Sequence, residues 1–374
     1  MRCHGPHFSL FGLISVVMSL STGCDPTASF GTDVSDGAGG GSPAALLPEE
    51  VSLVAMKDGR PVALDPATLD VRASALPAGE AFRFGVGGSI GSPGGVAVLG
   101  FDEDETGATV WLSGAGGVRE LGTFSGALAA ATLPFGCLVF SSAEGERWAF
   151  AKREGGFAKS VPCPRPNSVR AVAIGEGAAT VEGVGLDADG ALSSIAAKIE
   201  GGVLTSCEVT PLEVTGSEDA RLVELASPTV RALVDLQAGQ LLVTPLDGMR
   251  GGEPIRVEAT SQHLEQVVGV PTQDGATLVV ALVSSPTFVH VLRVEPSGDG
   301  VGLSLASNAL VPLPGEAARA ERVPGTGLVV SGDRIFVATS AGLSVFTYDA
   351  TVSRVDSVTE RAELAGPLAL VSRD

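Results

Sequence analysis

Apolar residues along this chain recur in short runs and show little helical periodicity. The runs are rich in Val, Leu, Ile and Phe and are bounded by Gly, Asp and Pro, as in GGVAVLGF, ATLVVALV and DRIFVAT. Such runs are typical of β-strands, because β-branched and aromatic side chains suit a pleated surface whereas Gly, Asp and Pro favour turns. With 50 Gly and 23 Pro in 374 residues, the pattern predicts an all-β protein with many turns.

Two of these runs are near copies of each other. AKREGGFAKSVPC begins at residue 151 and AKIEGGVLTSC at residue 197, an offset of 46 residues between Lys152 and Lys198. Each copy reads as strand, glycine turn, strand. The same unit recurs with other turn residues, which predicts turns at Pro66, Gly116, Gly155, Gly201, Gly248, Asp299 and Ala350. A regular spacing of this length indicates a repeat architecture.

Further strand-like runs precede each hairpin, so each repeat supplies about four strands. Four strands per repeat are typical of propeller blades, and a closed ring leaves only short, protected sheet edges. The sequence therefore predicts seven four-stranded blades over residues 51–374. Residues 51–76 supply three strands and 366–372 one, so we expect the two ends to pair and close one blade, with Leu368 and Leu370 on one buried face. A six- or eight-bladed propeller and a pair of β-sandwich domains are the alternatives.

The first 23 residues have the pattern of an export signal. An apolar run from Phe8 to Leu20 follows a basic start, and it is shorter than the roughly 20 residues that span a membrane. Small residues then precede Cys24, with Ser21 in the place where Leu is usual. This stretch resembles the lipobox of bacterial lipoproteins. The resemblance implies that Cys24 carries a lipid and that residues 24–50 form a lipidated, flexible tether; an ordinary secretory signal is the alternative.

Signal and repeat together give the chain a resemblance to the broad class of bacterial β-propeller lipoproteins, which includes YVTN-type, WD-repeat-like and quinoprotein-like propellers. The resemblance is architectural, since it rests on the repeat length and the strand pattern. It implies a protein of the bacterial cell envelope, anchored by its lipid to the outer membrane or to the periplasmic face of the inner membrane.

The charge of the chain narrows the range of partners. There are 24 basic and 43 acidic residues, which gives a formal net charge of −19 at pH 7. A field of this sign repels DNA, RNA and anionic lipid, so nucleic-acid binding is not expected. A high negative charge also keeps a protein soluble, and no binding role needs to be assigned to it.

Three cysteines besides Cys24 follow the signal. Disulfides are favoured in exported proteins. Cys163 and Cys207 come after equivalent hairpins of neighbouring repeats, whereas Cys137 lies within an apolar strand-like run. We therefore predict a disulfide between Cys163 and Cys207 and a buried free thiol at Cys137; three free thiols are the alternative.

Few residues in the chain carry recognisable chemistry. His263 and His290 lie in separate repeats, and no H-x-H, H-E-x-x-H or C-x-x-C pattern occurs, so no transition-metal site is predicted. His290 alternates with Val289 and Val291, which predicts a structural histidine with its hydrogen bonds satisfied. Trp111 and Trp148 fall on equivalent strands of successive repeats, which predicts packing between blades.

Two local motifs give only weak support for a functional site. Gly87-Gly88-Ser89-Ile90-Gly91 matches G-x-S-x-G, but a glycine-rich stretch and a strand follow it, not the helix that a nucleophile elbow requires. Asp102, Asp104 and Thr106 place oxygen atoms at alternate positions, as a Ca²⁺ site would. Calcium is a weak candidate there, and a solvated acidic hairpin is the simpler interpretation. We predict no catalytic residue and no cofactor.

These observations favour a non-catalytic binding or scaffold module for a protein, peptide or glycan. The alternative is a propeller enzyme, lactonase-like or quinone-dependent, with its site at the central channel. Such an enzyme would need several polar side chains converging at the channel mouth. The position of the charged residues at the ends of the innermost strands therefore bears on both interpretations.

Overall fold

The computed structural model describes the part of the chain that follows residue 50, with gaps. The described residues are 51–58, 60–72, 82–84, 96–101, 107–114, 117–125, 127–133, 136–141, 147–152, 161–164, 166, 168–175, 178–187, 191–225, 231–272, 274–297, 302–317, 327–349 and 354–372. Their regular structure is β throughout. No helix within these ranges is long and apolar enough to cross a membrane.

Among the described residues, 28 strands form seven sheets, numbered here in chain order. Sheet 1 contains β1 (Val51–Lys57), β2 (Arg60–Leu64) and the last strand of the chain, β28 (Leu364–Ser372). Sheet 2 contains β3 (Phe82–Phe84), β4 (Val96–Phe101), β5 (Gly107–Gly114) and β6 (Gly117–Ser125). Sheet 3 contains β7 (Ala127–Leu133), β8 (Gly136–Ser141), β9 (Arg147–Lys152) and β10 (Val161–Pro162).

The remaining sheets follow the same plan. Sheet 4 contains β11 (Ser168–Gly175), β12 (Ala178–Leu186), β13 (Leu192–Glu200) and β14 (Val203–Pro211). Sheet 5 contains β15 (Arg221–Glu224), β16 (Arg231–Gln237), β17 (Gln240–Asp247), β18 (Arg250–Gly251) and β19 (Ile255–Glu258). Sheet 6 contains β20 (His263–Pro271), β21 (Thr277–Ser284), β22 (Phe288–Pro296) and β23 (Leu303–Pro312). Sheet 7 contains β24 (Leu328–Ser331), β25 (Arg334–Thr339), β26 (Gly342–Asp349) and β27 (Arg354–Arg361).

The sheets are arranged as a closed ring. Each sheet contacts the next along the chain, and sheet 7 contacts sheet 1 through β28. First strands of neighbouring sheets contact one another, as β11, β15, β20 and β24 do in succession, which places them innermost. The fourth strands form the outer edges. This is the arrangement of an all-β propeller, so the predicted fold class is confirmed.

The number of complete blades differs from the prediction. Sheets 2 to 7 have four strands or more, and these six blades match the six-bladed alternative rather than seven four-stranded blades. Among the described residues sheet 1 has three strands, and Val71 forms an isolated bridge with Leu64; the end of the predicted fourth strand, from residue 73 on, lies outside the described residues. Ahead of this bridge, Asp65 accepts hydrogen bonds from the backbone N–H groups of Ala67 and Thr68 and so holds the residues that follow it in a turn.

Sheet 1 joins the two ends of the described chain. β28 pairs antiparallel with β1, with Leu370 opposite Leu53. Leu368 and Leu370 are both buried and pack with Phe336 of sheet 7. The expectation that the last strand closes the ring and buries these two leucines together is therefore confirmed.

The predicted turns that fall on described residues each follow the third strand of a sheet, counted from the centre of the ring. The turn at Gly201 follows β13 and precedes β14, and the residue has a positive φ of 57°. Gly can adopt this conformation without the strain that a Cβ would impose. Pro66 and Gly248 occupy the corresponding turns after β2 and β17, and the other predicted turns fall in gaps between described strands.

The hydrophobic core lies between the sheets. The middle strands contribute most of it, and in β21 every residue is buried. One cluster joins sheets 5 and 6, including Val234 and Val279, and another joins sheets 6 and 7, including Val291 and Phe346. Burial on both faces explains why these strands read as continuous apolar runs without strict alternation.

Candidate functional site

A polar cluster lies between sheets 5 and 6, where the innermost strands β15 and β20 begin. We call it the Asp219–His263 junction. Its members are charged or hydroxyl-bearing side chains at the starts of innermost strands or beside them: Ser217, Asp219, Arg221, Asp235, His263, Glu265 and Ser284. Ends of innermost strands lie at the mouth of a propeller channel, so this cluster is placed where a partner could reach it.

The buried carboxylate of Asp235 holds the junction together. Its two oxygens accept hydrogen bonds from Ser217 Oγ at 2.6 Å, Ser217 N at 2.8 Å, Leu236 N at 2.8 Å and Gln237 Nε2 at 2.6 Å. A buried carboxylate is costly unless it is hydrogen-bonded, and four donors compensate the lost hydration here. Asp235 therefore fixes the position of the segment that begins at Ser217.

Gly216 allows this segment to approach the sheet. A Cβ at this position would lie 2.5 Å from Leu192 Cδ2 and 3.6 Å from Asp235 Oδ2. Such a close contact would push the segment away from the carboxylate that anchors it. The glycine is thus required by proximity and not by backbone conformation.

Asp219 is held next to His263 by this anchored segment. Its backbone N–H donates to Ser217 Oγ at 3.1 Å, and its Oδ2 lies 3.6 Å from His263 Nδ1. This distance permits an ion pair when the imidazole is protonated but is longer than a hydrogen bond. The side chains of His263 and Asp219 are 40% and 31% exposed, so both can be reached from solvent.

Two further contacts tie the strands of the junction together. The guanidinium of Arg221 on β15 donates to the backbone carbonyls of Leu264 at 3.3 Å and Glu265 at 3.4 Å on β20. Ser284 on β21 pairs with His263 in the strand register and donates its hydroxyl to Glu265 Oε1. The junction is thus cross-linked from its buried side while the Asp219–His263 pair remains accessible.

The arrangement is suited to binding polar groups. Asp219 offers carboxylate oxygens, and His263 offers an imidazole whose Nδ1 faces that carboxylate. Such a pair can hydrogen-bond hydroxyl, amide or ammonium groups. Among the described residues, no three His, Cys, Asp or Glu side chains converge as a metal site would require.

Several predicted site residues lie outside the described residues. These are Cys24 with its signal and tether, the G-x-S-x-G stretch Gly87 to Gly91, and the calcium candidates Asp102, Asp104 and Thr106. Their predictions stand as they were made from the sequence.

The remaining cysteines are described. Cys163 and Cys207 are joined by a disulfide with a Cα–Cα distance of 5.9 Å, and it links the outer parts of sheets 3 and 4. Cys137 is buried and free. Burial raises the pKa of its thiol to about 12, so it carries almost no reactive thiolate near neutral pH.

His290 and Trp148 have structural roles, with one correction. His290 is buried on β22, and desolvation lowers its pKa to about 4, but its Nδ1 has no hydrogen-bond partner among the described residues. The prediction that the hydrogen bonds of this histidine are satisfied is therefore wrong for Nδ1, because both neighbouring strands place apolar side chains opposite it. Trp148 lies edge-on to Phe140 of its own sheet at 5.0 Å between ring centroids and donates to the carbonyl of Pro164. It is also buried in a cluster with Val181 and Ile195 of sheet 4, which confirms its packing between blades.

Sequence reasoning missed most members of the junction. The sequence singles out His263, but Asp219, Asp235, Glu265 and Ser284 come from four separate strands or loops. The register of β20 against β21 brings Ser284 beside His263, and this register is not visible in the chain. The available signal was the polar segment SEDAR directly before a short strand, since loop residues ahead of an innermost strand lie at the channel mouth.

Comparison with known proteins supports the fold. No protein-family model and no curated protein matches the sequence. A functionally unknown protein from Desulfotomaculum acetoxidans is similar in structure, with a TM-score of 0.60 and 13% identity, over 87% of this chain and 100% of that one. A Bacteroides fragilis protein to which 6-phosphogluconolactonase activity is provisionally ascribed is also similar, with a TM-score of 0.54 and 12% identity, over 86% of this chain and 98% of that one. For its counterpart from Bacteroides uniformis the TM-score is 0.52 and the identity 13%, over 86% of this chain and 99% of that one.

The chain is a β-propeller. At identities this low, the likeness shows the fold alone, because one propeller scaffold carries many unrelated functions. The function must therefore be argued from the residues of this propeller.

Proposed function

We propose that this propeller is a non-catalytic binding or scaffold module of the bacterial cell envelope, held to a membrane by a lipid on Cys24. The observation that carries the binding role is the Asp219–His263 pair, an accessible polar pair that buried hydrogen bonds hold in place. Residues that need only bind gain from a rigid support, because little conformational entropy is lost when the partner arrives.

The charge of the chain defines the partner further. A net charge of −19 together with Asp219 at the junction favours uncharged or cationic groups over anionic ones. Hydroxyl-rich glycans and protein or peptide segments with amide or ammonium groups fit this description. Nucleic acids do not fit it.

The binding role is tested by capture from envelope fractions after crosslinking. The test variant carries Asp219→Ala and His263→Ala, which removes the exposed pair and leaves Asp235 in place. The matched control carries Glu213→Ala and Arg250→Ala, which removes an exposed ion pair with 3.0 Å between Arg250 Nε and Glu213 Oε2 and leaves every junction residue in place. Loss of captured partners in the first variant alone supports the proposal, and equal capture by both variants contradicts it.

The membrane anchor is tested separately. Cys24→Ser removes the thiol to which a lipid would attach and should release the protein from the membrane fraction. Labelling with a radioactive or alkyne fatty acid reports the lipid directly. A variant that is processed and fractionated like the wild type would disprove the anchor, whatever the outcome of the capture experiment.

A propeller enzyme is the second candidate, and the Asp219–His263 pair is the observation that favours it, since such a pair can also act as a general base. The similar Bacteroides proteins suggest 6-phosphogluconolactone as the first substrate to assay. The acidic chain disfavours a phosphorylated substrate through charge repulsion. Hydrolysis that depends on His263 would replace the binding role with an enzymatic one.

A further inference from the structure

The outer strand of sheet 6, β23, has an unusual edge. It pairs with β22 on one side, and no described strand pairs with its other side. Its sequence, LSLASNALVP, spans ten residues without a charged side chain. Soluble proteins usually protect such an edge with charges or keep it short, because its free N–H and C=O groups can pair with another chain.

The other long outer strands follow the usual rule. β6 carries Arg119 and Glu120, both exposed, and β14 carries the exposed Glu208. β27 carries four charged residues in eight positions, namely Arg354, Asp356, Glu360 and Arg361. Among the described outer strands of eight residues or more, β23 alone has no charge.

A bulge gathers the exposed leucines of β23 on one face. Leu305 lies opposite Val294 and Leu310 opposite His290, and the register skips Ala306 between them. Val294 and His290 are four residues apart on β22, so they share a face, and their cross-strand partners share it too. Leu305 and Leu310, 37% and 50% exposed, therefore form one apolar surface beside the free edge.

We propose that two copies of this chain associate through β23, each strand pairing antiparallel with its counterpart. In a two-fold contact the same strand of each copy meets its counterpart across the symmetry axis. A charged side chain near that axis would therefore face an identical charge on the other copy and be repelled. β23 carries no such charge. Elsewhere the net charge of −19 makes the copies repel each other, so an uncharged strand is where repulsion is smallest.

The geometry of the strand suits this pairing. From Ser307 to Val311 the register with β22 is regular, so the edge beyond the bulge is continuous. Asn308 is exposed beside Leu310 on the same face and can hydrogen-bond across the contact. A charged peptide would find no opposite charge on β23, which favours a second copy over such a partner.

The test is sedimentation velocity of the full chain carrying Cys24→Ser, at concentrations up to about 100 µM, which covers weak and transient interfaces. The wild-type propeller should form dimers, and Leu310→Lys and Leu305→Lys should each raise the dissociation constant at least about tenfold, since a like charge is placed near the axis. Val209→Lys is the matched control, because this 38% exposed valine lies on the outer strand β14. It should leave the dimer unchanged.

Every outcome decides the proposal. A wild-type chain that is monomeric throughout overturns it, and so does a dimer that survives both lysine substitutions on β23. An unchanged thermal midpoint shows that the lysine variants are folded. Salt gives a second readout: because repulsion opposes the contact and no ion pair supports it, added NaCl should tighten the dimer. Dissociation by salt would point to an ion-paired interface elsewhere and overturn the proposal.

Discussion

The side-chain amide of Gln266 is hydrogen-bonded to both backbone polar groups of Leu328. Its Nε2 donates to the Leu328 carbonyl at 2.8 Å, and its Oε1 accepts from the Leu328 N–H at 2.7 Å. Gln266 lies on β20 and Leu328 begins β24, so this contact joins the innermost strands of sheets 6 and 7. A single side chain thus takes the place of a neighbouring strand at the centre of the ring.

Replacing this glutamine should destabilise the ring. Gln266→Leu leaves a backbone N–H and a C=O of the buried Leu328 without partners, and each such group costs about 1–3 kcal/mol. We expect the free energy of unfolding to fall by about 2–4 kcal/mol in chemical denaturation. Gln262→Leu is the control, since its side chain is exposed. Similar losses in the two variants would show that the paired amide is unimportant.

The disulfide should contribute substantially to stability. Cys163 and Cys207 are 44 residues apart. In the entropic model, closing a loop of this size lowers the entropy of the unfolded chain and so stabilises the folded state by about 4 kcal/mol. The double variant Cys163→Ala, Cys207→Ala should lose a similar amount. Mass spectrometry of a non-reduced digest tests the bond directly through the linked peptide pair. Absence of that pair, or insensitivity of wild-type stability to reductant, would contradict the prediction.

Burial of His290 should make the protein sensitive to acid. The imidazole has an ordinary pKa of 6.5 in the unfolded chain and about 4 in the folded one. The unfolded state therefore binds the proton first as pH falls, and stability declines between these two values by about 3 kcal/mol, then levels off. His290→Leu should remove this decline, measured by denaturation from pH 7 to pH 4. Parallel curves for wild type and variant would refute the assignment.

The closing strand should be essential for the ring. Removing residues 365–374 deletes most of β28, including Leu368 and Leu370, which pack with sheet 7. The free edge of β1 and the uncovered face of sheet 7 should then promote aggregation and lower the thermal midpoint. Removing a frayed tail would change little. An unchanged midpoint and a monodisperse product would show that β28 is not required.

The sequence predicted the sheets well because one period governs them. The described turns at Pro66, Gly201 and Gly248 follow third strands, and the pairing of the last described strand with the first was expected from two incomplete ends, as Leu368 and Leu370 show. The number of complete blades was not predictable in the same way. It depended on the strand predicted around Val71, of which the described residues show a single bridge to Leu64 after the turn that Asp65 holds.

The Asp219–His263 junction was beyond sequence reasoning for a different reason. It depends on contacts between residues of neighbouring sheets, such as the hydrogen bond from Arg221 to the carbonyl of Leu264. Repetition predicts which strands exist, but junction residues are not repeated, so no period indicates them. The anchoring role of Asp235 follows only once the donors around it are known.

The pairing of β1 with β28 also sets an order of events during synthesis. About 300 residues separate the two strands, and at roughly 5–20 residues per second a ribosome needs about 15–60 s to make them. Throughout that interval β1 has no partner on one edge, and the ring has no means to close. The sheets between them can form in sequence, but the ring closes only once β28 has been made and has paired with β1.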